Sequence, residues 1–135
     1  MATISKSARF DIRAEADVVA LRQNVRRWAA DLTFSIVDQT KLVTAASELA
    51  RNAIVYGGGG SATLEMLSET VRKGLRIVFE DNGPGIPDIE LALRDGFTTG
   101  GGLGLGLGGA RRLVNEFTID SKPGQGTRIA VTRWK

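Results

Sequence analysis

Glu48 and Asn52 stand one helical turn apart in the stretch SELARN, residues 47–52. On a helix, positions i and i+4 lie about 40° apart on one side. A carboxylate placed there can orient or deprotonate an attacking oxygen. An amide oxygen one turn on can ligate a hard cation such as Mg²⁺. The same wheel sets both residues roughly opposite the apolar stripe Ala46, Leu49, Ala50 and Ala53. On this stretch alone, the plainer reading is two solvated surface residues.

A second constellation is EDNGPGIPD, residues 80–88. Asp81 ends a strand-like run with its acceptor exposed, and Gly83 and Gly85 remove side chains, so that a flat ring can approach the backbone. A tight turn made from Asn, Gly and Pro explains the bend. It does not explain an acid set in front of two glycines that a proline separates.

The third is TTGGGLGLGLGG, residues 98–109, in which seven of twelve residues are glycine. Residues 104–109 formally match G-x-G-x-x-G. A dinucleotide fold also needs a strand just before the glycines and an acid about 20 residues on. DGFTT precedes this stretch instead, and Asp120 comes too early. No G-K-[ST] occurs, which excludes a Walker P-loop. A flexible linker favours serine and charge, whereas Leu103, Leu105 and Leu107 alternate with the glycines here. That pattern suits a loop that packs on one side and turns its N–H groups to an anion at a helix N-terminus. On these residues alone a flexible connector stays open as the alternative.

Composition narrows the chemistry. The chain has no histidine, which removes Ser-His-Asp catalysis, histidine-ligated metals and phosphohistidine. Any general base must then be Asp, Glu, Lys or Tyr, and a carboxylate suits the role best. It has no cysteine, which excludes disulfides and thiolate metal sites. The net charge of +3 comes from 18 basic and 15 acidic residues; the basic ones are scattered and not interleaved with aromatics, so no nucleic-acid partner is expected. No apolar run is long enough to span a membrane, and MATISKSARFDI lacks the apolar core of a signal peptide. No membrane partner is expected, and a cytoplasmic location is.

Elements must position these residues. RFDIR (9–13) alternates and predicts a strand. Val18, Leu21, Val25, Trp28 and Leu32 predict a helix over 17–31, with Asp17 as N-cap. These apolar residues are read as core, with Val18, Val19 and Trp28 as the alternative for a docking patch. Val43, Ala46, Leu49, Ala50, Ala53 and Ile54 predict a second helix over 37–56, ended by YGGGG. SATLEMLSET and GLRIVFED read as a hairpin, with Leu75, Ile77 and Phe79 on one face. IELAL (89–93) predicts a short helix. Leu107, Ala110, Leu113, Val114 and Phe117 predict a third main helix. FTID and GTRIAVTRW close the chain as strands around the turn SKPGQG (121–126). The order β, α, α, β, β, α, β, β predicts an α+β two-layer sandwich, a mostly antiparallel sheet with helices on one face, as a single domain over residues 1–135.

Taken in order, these segments resemble the GHKL ATPase superfamily, which has the Bergerat fold. SELARNAI is similar to its N box, EDNGPGI to its first glycine box, GGLGLGL to its second and GQGTRIAV to its third. ELARN, EDNGPGIPDI, DGFTTGGGLGLGL and the ending GTRIAVTRW resemble most the serine/threonine kinases of bacterial partner switching. The resemblance implies ATP and Mg²⁺ as cofactors and Glu48 as general base toward a protein hydroxyl. It implies Asn52 as Mg²⁺ ligand, Asp81 as acceptor for the adenine amine, and Gly83, Gly85 and Ile86 as adenine floor, with Thr127 completing that polar end. Thr98, Thr99, Gly102, Leu103, Gly104, Leu105 and Gly106 would belong to a lid over the phosphates. The implied partners are a STAS-domain antagonist or stressosome scaffold as substrate and a PP2C-type phosphatase as downstream effector. An anti-sigma factor that sequesters a sigma subunit and a nucleotide-regulated interaction module are the alternatives. One departure from the family pattern concerns charge: residues 96–110 contain no Lys or Arg, so Arg94, Arg111 and Arg112 are the nearest candidates for a cation at the γ-phosphate.

Overall fold

The structure, a computed structural model, describes residues 2–86, 88–93 and 106–135. Alternation along Leu75, Ile77 and Phe79 gives the central strand its inward face, and all three are buried. The strands are β1 (Thr3–Ile12), β2 (Gly60–Ser68), β3 (Lys73–Asp81), β4 (Glu116–Ser121) and β5 (Thr127–Trp134). They form one antiparallel sheet in the order β1-β2-β3-β5-β4. Ala62 and Leu64 of β2 and Ile129 and Val131 of β5 extend the same apolar face. β1 is an edge strand and largely exposed. It starts well before Arg9, where polar TISKSA shows no apolar alternation to announce it.

Helices α1 (Glu15–Asp31) and α2 (Ile36–Gly57) cover this face. They run antiparallel, as the contacts Arg51–Glu15 and Arg26–Thr40 show. Val18, Leu21, Val25 and Trp28 of α1 are buried, while Val19 stays 45% exposed. Asp17 is not the N-cap of α1; Ala14 is. Asp17 sits one turn inside, and its carboxylate accepts the N–H groups of Arg13 at 2.9 Å and Ala14 at 3.1 Å. This is the acidic half of a capping box, working without a capping side chain at Ala14. Helix α2 begins at a true cap: Ser35 accepts the Asp38 N–H at 3.1 Å. It ends at Gly58 in the left-handed conformation, φ 71°, where glycine carries no Cβ penalty.

Two short helices follow. α3 (Ile89–Ala92) is capped by Asp88, which accepts the Leu91 N–H at 3.0 Å. α4 (Gly106–Arg112) is only seven residues long. The expected third main helix does not run on to Phe117, which lies in β4. The Asn115 N–H donates instead to the Thr132 carbonyl of β5 at 2.9 Å, so the chain joins the sheet edge directly after α4. One cluster of buried side chains unites both helices, the sheet and Leu107 and Ala110 of α4. Each fully buried Leu or Ile in it contributes about 1.5–3 kcal/mol. Among the described residues, no helix is long and apolar enough to cross a membrane.

Candidate functional site

The C-terminal half of α2, the end of β3 and the start of β5 frame a cleft of about 420 Å³. Asn52, Asp81, Gly85, Ile86, Gly106 and Thr127 all line it, together with apolar Leu49, Phe79, Leu107 and Ile129. Residues distant in the chain thus converge on one space, with an apolar bed and a few polar groups, as small-molecule sites require.

Asp81 is the last residue of β3, with Gly60 opposite it on β2 and Thr127 on β5. Its Oδ1 accepts the Gly83 N–H at 2.9 Å, which leaves Oδ2 to a ligand. Gly83 is therefore a brace for Asp81, and it does not line the cleft as floor. A side chain at Gly57 would put its Cβ 2.7 Å from Asp81 Oδ2, so glycine at the end of α2 is what lets this carboxylate stand where it does. Gly85 adopts φ 79°, and a Cβ there would collide with the Lys122 carbonyl. The turn can sit against the β4–β5 loop only without a side chain.

Ser121, at the end of β4, ties this floor together and was not singled out by its sequence context. Its Oγ accepts the Ile86 N–H at 2.8 Å, donates to the Gly126 carbonyl at 3.2 Å and lies 2.7 Å from Thr127 Oγ1. A hydroxyl has one proton. With that proton on the Gly126 carbonyl, Thr127 donates to Ser121 and keeps its lone pairs for the cleft. The polar end then presents acceptors from both Asp81 and Thr127, which suits a base edge carrying an amine. The signal available in sequence was the pairing across a short turn, which sets Ser121 opposite Thr127.

Glu48 is not a surface residue. It is 3% exposed, because α2 is the central helix, with α1 on one side, the sheet beneath and α4 against a third side. Among the described residues its Oε1 has no hydrogen-bond partner, and the Arg51 guanidinium stands 3.6 Å away. Glu48 does not itself line the cleft; it lies one turn before Asn52, which does. A buried carboxylate with a free oxygen carries a desolvation cost that a purely structural residue would not retain.

Thr98, Thr99, Gly102, Leu103, Gly104 and Leu105 lie outside the described residues, as does Arg94. Gly106, the last of the expected lid residues, opens α4 at φ 54° and is buried against the cleft. Arg111 and Arg112 are exposed in the last turn of α4, and neither lines the cleft. Among the described residues, no three acidic side chains converge as a metal cage. Mg²⁺ bound mainly through substrate phosphates needs only one or two protein ligands, which Asn52 at the cleft wall can supply. The acceptor pair at Asp81 and Thr127, the glycine-built turn and Asn52 at the wall fit a nucleoside triphosphate with its cation.

An α+β sandwich that carries a carboxylate and an amide on its central helix, over a cleft ended by a braced aspartate and a glycine turn, defines the GHKL class of ATPase. The family described as histidine kinase-, DNA gyrase B-, and HSP90-like ATPase matches residues 37–134, and the chain belongs to it. Within that family it is 49% identical over 123 residues to the serine/threonine-protein kinase RsbT of Bacillus subtilis (strain 168), covering 91% of this chain and 92% of that one. An anti-sigma F factor from Thermoanaerobacter sp. (strain X514) is 30% identical over 118 residues, 84% of this chain and 82% of the relative. Among solved structures, the RsbU and RsbW domains of Rv1364c from Mycobacterium tuberculosis superimpose with a TM-score of 0.64 at 21% identity over 96% of this chain, which spans 32% of that longer chain. The mycobacterial sensor histidine kinase MprB gives a TM-score of 0.54 at 19% identity, covering 95% of this chain and 97% of that one. Both structures share the fold. The chain is an ATP-using protein serine/threonine kinase of the partner-switching type.

Proposed function

We propose that the chain transfers the γ-phosphoryl group of ATP to a Ser or Thr of a STAS-domain antagonist or stressosome scaffold, and, once released, binds and activates a PP2C-type phosphatase. The observation that carries this reading is Glu48: 3% exposed, one turn from Asn52, with an oxygen that no other described residue hydrogen-bonds. Glu48 takes the proton of the partner's hydroxyl as its oxygen bonds to the γ-phosphorus. The bond from that phosphorus to the β,γ-bridging oxygen breaks, and ADP leaves with the electron pair. Asp81 and Thr127 bind the adenine edge, and Gly85 and Ile86 form its floor. Mg²⁺ held by Asn52 would neutralise charge on the phosphates. The reaction draws on cytoplasmic ATP, and we place the protein there.

Intact-mass analysis of a STAS-domain partner incubated with magnesium ATP tests this, wild type against Glu48→Ala. The expected outcome is one added phosphate with wild type and none with the variant, while both bind ATP. No phosphate with wild type, despite measurable ATP binding, overturns the proposed substrate, and capture of a sigma subunit would then favour sequestration.

A further inference from the structure

Arg51 precedes Asn52 on α2, and its guanidinium spans carboxylates from two helices. Nη1 lies 3.6 Å from Oε1 of Glu48. Nη2 donates to Oε1 of Glu15, the first residue of α1, at 3.3 Å. The three side chains form a gradient from inside to outside: Glu48 is 4% exposed, Arg51 27% and Glu15 67%. A carboxylate as buried as Glu48 is costly without a compensating cation. Among the described residues, Arg51 is the cation that pairs with it.

The distance matters as much as the charge. At 3.6 Å the two groups form an ion pair without a hydrogen bond, and among the described residues Glu48 Oε1 accepts no hydrogen bond. The negative charge is compensated while Oε1 engages no hydrogen-bond donor among the described residues. Glu15 accounts for the offset, since its hydrogen bond draws the other arm of the guanidinium toward α1. Full contact with Arg51 would occupy the base; no contact would leave a buried charge alone.

We propose that Arg51 is a positioning residue for Glu48: anchored by Glu15, it compensates and orients the base from a distance that keeps the accepting oxygen free. This rests on the reading of Glu48 as the base.

The test is steady-state phosphorylation of the STAS-domain partner by wild type, Glu48→Ala, Arg51→Gln, Arg51→Lys, Glu15→Ala and the Glu15→Ala/Arg51→Gln double variant, with melting curves for each. Misplacing a catalytic group by a fraction of its working geometry costs up to about a hundredfold in rate. Arg51→Gln is therefore expected to lower kcat at least about tenfold while leaving KM for ATP within about twofold. Arg51→Lys should recover part of the loss. The double variant should be no slower than Arg51→Gln, because Glu15 acts through Arg51. Inactive Glu48→Ala with Arg51→Gln near wild-type kcat overturns the proposal and leaves the base in place. Raised KM with unchanged kcat also overturns it, assigning Arg51 to nucleotide binding. A double variant slower than Arg51→Gln removes the anchoring role of Glu15. Near-normal turnover by Glu48→Ala instead overturns the base itself. Should Arg51→Gln melt below the assay temperature, exposed Glu15→Ala decides: a several-fold lower kcat at constant KM supports the anchoring, and full activity overturns it.

Discussion

Asp81 commits one carboxylate oxygen to the Gly83 N–H at 2.9 Å, and Gly57 packs so closely on the other that a methyl group there would collide. The aspartate is thus aimed by two residues whose contribution is the lack of a side chain. Asp81→Asn keeps the size and the brace but replaces a charged acceptor by an amide that can present N–H to the ligand amine. Losing one charge-assisted hydrogen bond costs about 1.5–3 kcal/mol. ATP affinity, measured by calorimetry, should therefore fall roughly ten- to a hundredfold. An unchanged affinity would remove Asp81 from adenine recognition. Glu48 marks the limit of reading residues one at a time. Its helical wheel places it opposite the stripe of α2 and points to solvent; its burial comes from helices packed on that side, and local spacing carries no trace of them. Ser121, by contrast, could be counted out across its hairpin from Thr127 once β4 and β5 were paired.

Elements were legible where their own residues supply the signal. α2, with a serine cap, an apolar stripe and a glycine stop, starts and ends within a residue of expectation. β3 shows its inward face by alternation. α4 was not legible in length, because Leu113, Val114 and Phe117 continue helical spacing while Phe117 and Ile119 already alternate as a strand. Sheet pairing with β5 decides between them. Of β1, the alternating end at Arg9–Ile12 was legible, while the polar TISKSA before it had no apolar pattern to read. One tie between elements has a pH signature. Arg133 of β5 donates to Asp38 in the first turn of α2 at 2.7 Å and to the Leu113 carbonyl just beyond α4 at 3.0 Å. That side-chain hydrogen bond from Arg133, helped by its charge, holds the Asp38 carboxyl below the usual carboxylate range. A depressed folded-state value means that the stabilisation is complete above the unfolded value, about 3.9, and is lost as pH falls through the folded one. Asp38→Asn should lower the melting temperature at pH 7. Because Asp38 is about a third exposed, the loss should be about 1 kcal/mol. As pH falls through that lowered value the wild type loses the same interaction, so the two melting curves should converge toward acid pH. A gap as large at acid pH as at neutral pH would show that Asp38 acts through packing and not through its charge.

At the scale of the whole molecule, the cleft and the core share a wall. Leu49, Phe79, Leu107 and Ile129 belong to the main apolar cluster and also line the cleft. A nucleotide bound there rests on the side chains that hold α2 and α4 to the sheet, and it binds only when they are assembled. Ligand that binds the folded chain alone stabilises it by mass action, about 2.7 kcal/mol at a hundred times the dissociation constant. For a chain of this size that raises the melting temperature by on the order of 10 °C. Melting curves with and without magnesium ATP should show this rise for wild type and equally for Glu48→Ala, whose change touches transfer and leaves the nucleotide contacts intact. Asp81→Asn at the same ATP concentration should lose about half of it or more. A rise that persists undiminished in Asp81→Asn would mean that the nucleotide is held elsewhere. A rise abolished by Glu48→Ala would mean that the buried carboxylate supports the cleft itself, and its loss of transfer could then no longer be assigned to the missing base.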